Sequence, residues 1–233
     1  MKLFFIISFI LNCELCFTQQ RVFVYDSNDA IYELNLNNCS SRFICKSDSA
    51  GFTDIAITSD GRFWGIGTKL NPDHTGMTGV FFVDTTSGLC TFINGTQNFE
   101  SASLAALNDS ILLLDGGDSL YELNVNNGYT FTVGNIGNQS FGDLCWLGND
   151  LYMTSADNLR NGLLIKIVLN NNYTSVISAI PQNKFIPLCS GIATASFNGS
   201  DSLVGLQIQV HTYFHWWMKC PIFTVLHLIQ DIF

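Results

Sequence analysis

Basic residues are scarce in this chain. Ten Lys and Arg stand against 19 Asp and Glu among 233 residues, which leaves a formal net charge of −9. Proteins that bind nucleic acid neutralise phosphates with clustered Lys and Arg, and this sequence has no such cluster. Nucleic acid is therefore excluded as a partner, and the acidity is expected mainly to favour solubility.

Histidine is scarcer still, which limits the chemistry available. Four His occur, and His74 is the one that precedes residue 207. A Ser-His-Asp or Cys-His arrangement would have to use His74, yet no Gly-x-Ser-x-Gly motif accompanies it. No Cys-x-x-Cys pair follows residue 18. The sequence therefore predicts no catalytic site, no metal site and no cofactor.

The surroundings of His74 favour binding over chemistry. The segment Asn71-Pro72-Asp73-His74-Thr75-Gly76 is an insertion that lengthens one loop. Long loops on rigid scaffolds often carry binding residues, although a single loop His is commonly just solvated. Asn71, Asp73 and His74 are accordingly predicted to form a binding loop.

A hydrophobic run of the roughly 20 residues needed to cross a bilayer is also missing. At the start, Lys2 precedes an apolar stretch from Leu3 to Leu11, and Cys16-Phe17-Thr18 offers a cleavage site. This pattern predicts a secretory signal over residues 1–18 and a secreted or cell-surface protein without a stable transmembrane segment.

Six cysteines remain once the signal is removed, and disulfides persist in exported chains. Cys39 and Cys45 are the one local pair predicted to bond, because a short hairpin could bring them opposite each other. Cys145 and Cys189 are interpreted as small buried hydrophobes. A lipoprotein acylated at one of the two signal cysteines is the alternative for the N-terminus, although neither follows a small residue.

One apolar-alternating pattern occurs four times along the chain. Each copy is a strand that ends in a turn rich in Asn, Thr or Gly, as in Leu120-Tyr121-Glu122-Leu123-Asn124. Equivalent positions are separated by 49, 40 and 44 residues, a spacing typical of a four-stranded propeller blade. The equivalent residues are Leu34, Val83, Leu123 and Ile167.

A second hairpin recurs between these copies. It begins at Asp54, Leu104 and Leu144, turns at Asn, Asp or Gly, and starts again near Gly191. Each unit contains four strands and shows no helical period, which predicts an all-β fold. The predicted architecture is a β-propeller-like (WD40/YVTN-like) array of about four to five blades over residues 19–207. A β-sandwich is the rival fold. Because the first unit lacks a leading strand and the last has two strands, a closing blade built from both termini is expected.

The repeat motifs resemble a known group of exported proteins. Leu-Tyr-Glu-Leu-Asn and Gly-Asp-Leu-Cys-Trp-Leu-Gly-Asn-Asp-Leu-Tyr-Met are similar to N-terminal propeller-like repeats of large Bacteroidetes proteins. The resemblance implies an adhesin-like role and a C-terminal type IX secretion sorting domain. Residues 208–233 depart from it, with three of the four His and no Gly or Asn, and are interpreted as a truncation or frameshift product.

Other polar motifs are assigned to turns and strands. Asp26 to Asp29 and Asp115 to Asp118 contain oxygens suited to calcium, but neither completes a calcium loop, so turn chemistry explains them. Asp54 and Asp143 begin equivalent strands and are interpreted as positioning those strands rather than as a catalytic pair. Six Asn-x-Ser/Thr sequons, at positions 38, 94, 108, 138, 172 and 198, are expected to mark surface turns.

Two functions follow from this pattern. The favoured one is an exported, non-catalytic binding or scaffold domain, a fragment of an adhesin-like surface protein whose partner is an unknown extracellular protein or glycan. The alternative is a propeller hydrolase or lyase that acts on extracellular glycans and has inward carboxylates around its central channel.

Overall fold

In a computed structural model of the chain, the described residues form five separate antiparallel sheets with 18 strands. The structure describes residues 22–26, 28–35, 38, 40–48, 50–70, 76–96, 103–156, 162–186, 189–197, 200–207 and 226–228. The first sheet contains β1 (Val22–Tyr25), β2 (Ala30–Asn35) and β3 (Ser40–Lys46). The second contains β4 (Ala50–Ile57), β5 (Phe63–Leu70), β6 (Gly76–Val83) and β7 (Cys90–Phe92).

The remaining three sheets repeat this arrangement. The third contains β8 (Leu104–Ala106), β9 (Ile111–Gly116), β10 (Ser119–Asn124) and β11 (Thr130–Asn135). The fourth contains β12 (Ser140–Leu147), β13 (Asp150–Ala156), β14 (Gly162–Leu169) and β15 (Val176–Ile186). The fifth contains β16 (Cys189–Phe197), β17 (Ser200–Gln207) and β18 (Leu226–Leu228). Each strand pairs with its neighbour in sequence, so every blade is a simple meander.

Consecutive apolar residues in the middle strands reflect burial on both faces. Leu112, Leu113 and Leu114 in β9 are all fully buried. Leu113 packs in the core cluster shared with the fourth sheet, whereas Leu112 and Leu114 pack in the cluster shared with the second. A strand covered on both sides has no polar face, and this is why the alternation seen elsewhere disappears here.

The sheets are arranged in rotational succession around a centre. The first strands of the second to fifth sheets contact one another in the order β4, β8, β12, β16, and β1 contacts both β4 and β16. These contacts close a ring. The protein is a β-propeller, as the repeat spacing predicted, and the sandwich alternative is wrong.

The ring closes differently from the sequence-based expectation. Strand β1 behaves as the second strand of its blade, because Phe23 packs edge-on against Phe63 of β5 with ring centroids 4.9 Å apart. The first sheet therefore lacks a described innermost strand, as predicted. The expected closing blade shared by both termini is wrong for the described residues, since β1–β3 and β16–β18 form separate sheets.

The predicted boundaries lie mostly outside the described residues. The proposed signal, residues 1–18, is not described, and of the tail over residues 208–233 only Leu226–Leu228 is described, as β18 paired with β17. The boundaries near residues 18 and 207 therefore stay predictions. No helix within the described ranges has the length and apolarity needed to span a bilayer.

The inner hairpin of the second blade resembles that of the fourth blade more than it resembles that of the third blade, which lies between them. Asp143 follows Asp54 by 89 residues, and Cys145 follows Ala56 by the same distance. Opposite these residues, Trp64 pairs with Ala56 and Tyr152 pairs with Cys145. The inner strand of the third sheet, Leu104–Ala106, carries no acidic residue. The repeat in this part of the ring therefore alternates over two blades.

Two glycines allow neighbouring blades to approach closely. Gly88 and Gly128 occupy the same turn between the third and fourth strands of their blades, with φ of 76° and 72°. A Cβ at Gly88 would clash with the carbonyl oxygen of Lys46, and one at Gly128 would clash with that of Asn94. Both positions thus need glycine for backbone conformation and for space.

Gly128→Ala is expected to destabilise the fold by about 3 kcal/mol, because it adds a backbone clash to an unfavourable positive φ. Gly117→Ala is the matched control: its φ is 68°, but a Cβ there meets nothing within 4 Å. The control should lose only about 1 kcal/mol. Urea unfolding monitored by tryptophan fluorescence measures both. Equal losses would contradict the close packing of adjacent blades.

Candidate functional site at the centre of the ring

Three aspartates each connect one blade to the blade that follows it. Asp54 Oδ2 accepts the backbone N–H of Leu104 at 2.6 Å, and Asp143 Oδ2 accepts that of Ile192 at 2.7 Å. The buried Asp115 accepts the N–H of Ser140 at 3.3 Å. Each acceptor serves an N–H in or near the inner strand of the following blade. The junctions from the second to the fifth blade are therefore made by carboxylate oxygens.

The first junction uses a phenol in place of a carboxylate. Tyr25 Oη lies 2.9 Å from the carbonyl oxygen of Ala50 and 2.6 Å from Asp29 Oδ1, and its single O–H is shared between these two acceptors. Burial and the bond to Asp29 raise the pKa of Tyr25, so the phenol stays protonated and remains a donor. Ala50 begins β4, and the bond thus attaches the first blade to the inner strand of the second.

Asp54 and Asp143 meet across the centre of the ring. Strands β4 and β12 contact each other there, and the two carboxyl groups are close enough to shift each other's pKa. Burial raises the pKa of Asp54 well above its usual range, and the charge of Asp143 adds to the shift. Burial also raises the pKa of Asp143, to about 7. The pair therefore holds at least one proton at neutral pH.

Cys145 and Thr194 lie beside this carboxyl pair. Cys145 Sγ is 3.0 Å from Thr194 Oγ1, and the same hydroxyl bonds the carbonyl oxygen of Trp146. Burial raises the pKa of the Cys145 thiol to about 12, although the bond to Thr194 opposes the shift. The thiol is therefore protonated, whereas a nucleophilic cysteine needs a lowered pKa.

The hydrogen-bonding capacity of the pair is largely committed to the backbone. Asp54 Oδ1 accepts the N–H of Ile55 at 2.7 Å, while Oδ2 holds Leu104. Asp143 Oδ2 accepts the N–H of Ile192, and the carboxyl group also interacts with that of Asp54. Throughout the described residues, no group of three or more His, Cys, Asp or Glu side chains is placed to hold a metal ion. The cluster can share a proton and fix strand positions.

The structure adds to the interpretation of Asp54 and Asp143. Their strand-positioning role is confirmed, because each one holds the next blade by a backbone N–H. Ring closure also brings the two carboxyl groups together, which the sequence did not indicate, while the interpretation that they are not a catalytic pair stays a prediction. Cys145 is half-buried and packs against the apolar cluster that contains Ile192 and Leu203, which agrees in part with the prediction, while its Sγ also contacts the Thr194 hydroxyl. Thr194 was missed because nothing local in the sequence distinguishes it.

The two calcium-like motifs have separate explanations. Asp26 Oδ1 accepts the N–H groups of Asn28 and Ala30 at 2.8 and 3.0 Å, so turn chemistry accounts for it, as predicted. Asp115 does not belong to turn chemistry, because it joins two blades. Asp118 instead bonds Asn135 Nδ2 at 2.7 Å. The two acids of the second motif thus serve different purposes.

The remaining predicted site residues are largely outside the described chain. Asn71, Asp73 and His74 lie in the segment 71–75, which is not described, so the binding loop stays a prediction. Cys45 is buried and its thiol is free, while Cys39 is not described. Strand β3 is extended from Ser40 to Cys45, which places Cys45 at the end of the hairpin far from the turn. The structure does not support the predicted disulfide.

Comparisons with known proteins support the fold alone. No protein-family model and no curated protein matches the chain. A propeller in a nidogen/laminin complex is similar, with a TM-score of 0.55, 12% identity and coverage of 80% of this chain and 69% of that one. An auxiliary nutrient binding protein from Bacteroides thetaiotaomicron has a TM-score of 0.54 and 9% identity, with coverage of 80% and 49%.

A gluconolactonase from Xanthomonas campestris is similar to the same degree. Its TM-score is 0.53 at 8% identity, and the match covers 82% of this chain and 67% of that one. The chain thus spans between about half and two thirds of the length of these solved structures. They include a protein complex, a nutrient binding protein and a gluconolactonase.

Stability is expected to fall as pH rises from about 4 to above 7. In this window the aspartates of the unfolded chain have lost their protons, whereas the Asp54–Asp143 pair of the folded chain still binds them. Each proton bound only in the folded state lowers the free energy of unfolding with a slope of up to about 1.4 kcal/mol per pH unit. Asp143→Asn should reduce that slope, because the amide carries no charge. Thermal unfolding of both chains between pH 4 and pH 8 measures it.

The exposed Asp118→Asn provides the control for this experiment. The hydrogen bonds from Asn135 and Ser119 lower the pKa of Asp118, so its titration lies below the tested window. Its removal should leave the slope unchanged. A wild-type profile that is flat between pH 4 and pH 8 would mean that the pair is not protonated in the folded state.

Proposed function

We propose that this propeller is an exported, non-catalytic binding or scaffold domain that contacts an extracellular protein or glycan through its loops and outer strands. The observation that carries the proposal is the use of the inward polar groups. Asp54, Asp115 and Asp143 each hold a backbone N–H of the next blade. Groups committed to the ring in this way are poorly available to a substrate.

The protonated thiol at the centre supports the same conclusion. Cys145 is the described cysteine nearest the carboxyl pair, and burial raises its pKa to about 12. Such a thiol is a weak nucleophile near neutral pH. The two carboxyl groups also interact with each other across the ring.

Exposed apolar side chains favour contacts on the outer strands. Tyr129 precedes β11 and is 68% exposed, and Ile177 in β15 is 65% exposed. Phe131 and Ile180 lie on the same two strands and are also exposed. Aromatic and apolar residues at the surface are typical of interfaces. Strands β11 and β15 contact each other, so these side chains belong to adjacent blades.

Hydrolase or lyase activity on extracellular glycans is the second candidate. It is favoured by two inward carboxyl groups with raised pKa values, since perturbed carboxyl groups in a cleft are a common feature of active sites. An adhesin-like role in a gliding bacterium is a narrower form of the first candidate. It rests on the repeat motifs alone.

We expect the full chain to bind at least one ligand on an array that carries glycans and purified extracellular-matrix proteins. The full chain with Asn71→Ser, Asp73→Ser and His74→Ser should lose at least about tenfold in affinity if the loop makes the central contact. Asn126→Ser with Asn149→Ser is the matched control, because both lie in exposed turns. No binding to any immobilised ligand would overturn the proposal.

The second candidate is separated from the first by Asp54→Asn and Asp143→Asn. If the domain only binds, the wild-type chain should not turn over lactone or glycan substrates, and both variants should keep the affinity of the wild-type chain. Turnover by the wild type that falls by about 100-fold or more in either variant would establish the enzyme instead.

A further inference from the structure

The sequon asparagines lie at the surface turns of the propeller. Within the described residues, each of the five lies outside the strands, and four are exposed. The sixth, Asn198, is not described. The five described positions are Asn38, Asn94, Asn108, Asn138 and Asn172. Their third residues are Ser or Thr, and no sequon contains Pro.

Three of these side chains are used by the fold itself. Asn38 Oδ1 accepts the N–H of Ser40 at 3.0 Å, and Asn108 Oδ1 accepts that of Ser110 at 2.8 Å. Asn138 is half-buried, and its Nδ2 donates to the carbonyl oxygen of Ile136 at 3.1 Å. A glycan on Asn138 would have to replace that bond.

Asn94 and Asn172 differ from these three. Both are exposed, and their side-chain amides make no hydrogen bond with the described residues. Other groups hold their turns: Thr96 Oγ1 donates to the carbonyl oxygen of Ile93 at 2.7 Å, and Asn170 Oδ1 accepts the N–H of Thr174 at 2.9 Å. A substituent on either amide therefore leaves the turn intact.

We propose that Asn94 and Asn172 are N-glycosylated, with a polyprenyl-diphosphate-linked oligosaccharide as the sugar donor. The asparagine Nδ2 forms a bond to the anomeric carbon of the first sugar, and the bond from that carbon to the diphosphate breaks. The polyprenyl diphosphate leaves with its electron pair, and Nδ2 gives up one proton. The proposal rests on the proposed export, because the transfer takes place on the non-cytoplasmic side of a membrane.

Translation of the full chain with microsomes from the endoplasmic reticulum tests the modification. A parallel chain carries a cleavable leader of known activity in front of Gln19, so that entry into the lumen does not depend on the native N-terminus. Protection from added protease reports entry. Peptide mapping after enzymatic deglycosylation in heavy-oxygen water reports which asparagines carried sugar. Asn94 and Asn172 should be marked, and Asn138 should not.

The outcomes separate this proposal from the proposed export. A chain protected from protease but bare at Asn94 and Asn172 overturns the glycosylation. Marking of Asn138 to the same extent as Asn172 overturns the structural selection among the sequons. If only the chain with the added leader enters the microsomes and carries sugar, the proposed export by the native N-terminus is wrong. The two proposed glycosylation sites are then still supported.

Single substitutions provide the site-level control. Asn94→Gln and Asn172→Gln should each remove one step of mobility on a gel, and Asn138→Gln should remove none. Thr174→Ala should remove the same step as Asn172→Gln, whereas Thr174→Ser should keep it, because the sequon needs a hydroxyl at its third position. Loss of the step in Thr174→Ser as well would indicate a defect in the turn instead.

Discussion

The structure depends on a hydrogen bond from a backbone N–H of one blade to a carboxyl oxygen of the blade before it. A single blade leaves two apolar faces open, and packing alone could slide one sheet over the next. Asp54, Asp115 and Asp143 each fix one junction at or near the inner strand that follows. The ring is thus set by a few directional bonds inside an apolar core.

These bonds bring a second constraint with them. Because β4 and β12 face each other across the ring, the carboxyl groups that hold the two following blades also meet. Two half-buried carboxyl groups with raised pKa values are not both ionised at neutral pH, and the pair keeps a proton. The same groups are therefore both structural ties and a titrating centre.

Much of the fold could be predicted from local patterns. Hairpins such as that starting at Asp54 alternate in polarity and turn at Asn, Asp or Gly, and their spacing specifies blades. The site could be predicted only in part, since the recurrence of Asp54 and Asp143 indicated strand positioning but not their contact. The disulfide predicted from Cys39 to Cys45 has no support among the described residues, where Cys45 is free and β3 continues extended through it, and Cys39 is not described.

The amino-acid sequence alone determined that this protein is an all-β array of repeated meanders, because strand polarity and turn chemistry are local properties. The tertiary structure alone decided how the ring closes and which side chains meet at its centre. Asp54 and Asp143 are 89 residues apart, and their separation in space depends on the number and tilt of the blades between them. Packing of whole sheets sets that geometry, and no short segment encodes it.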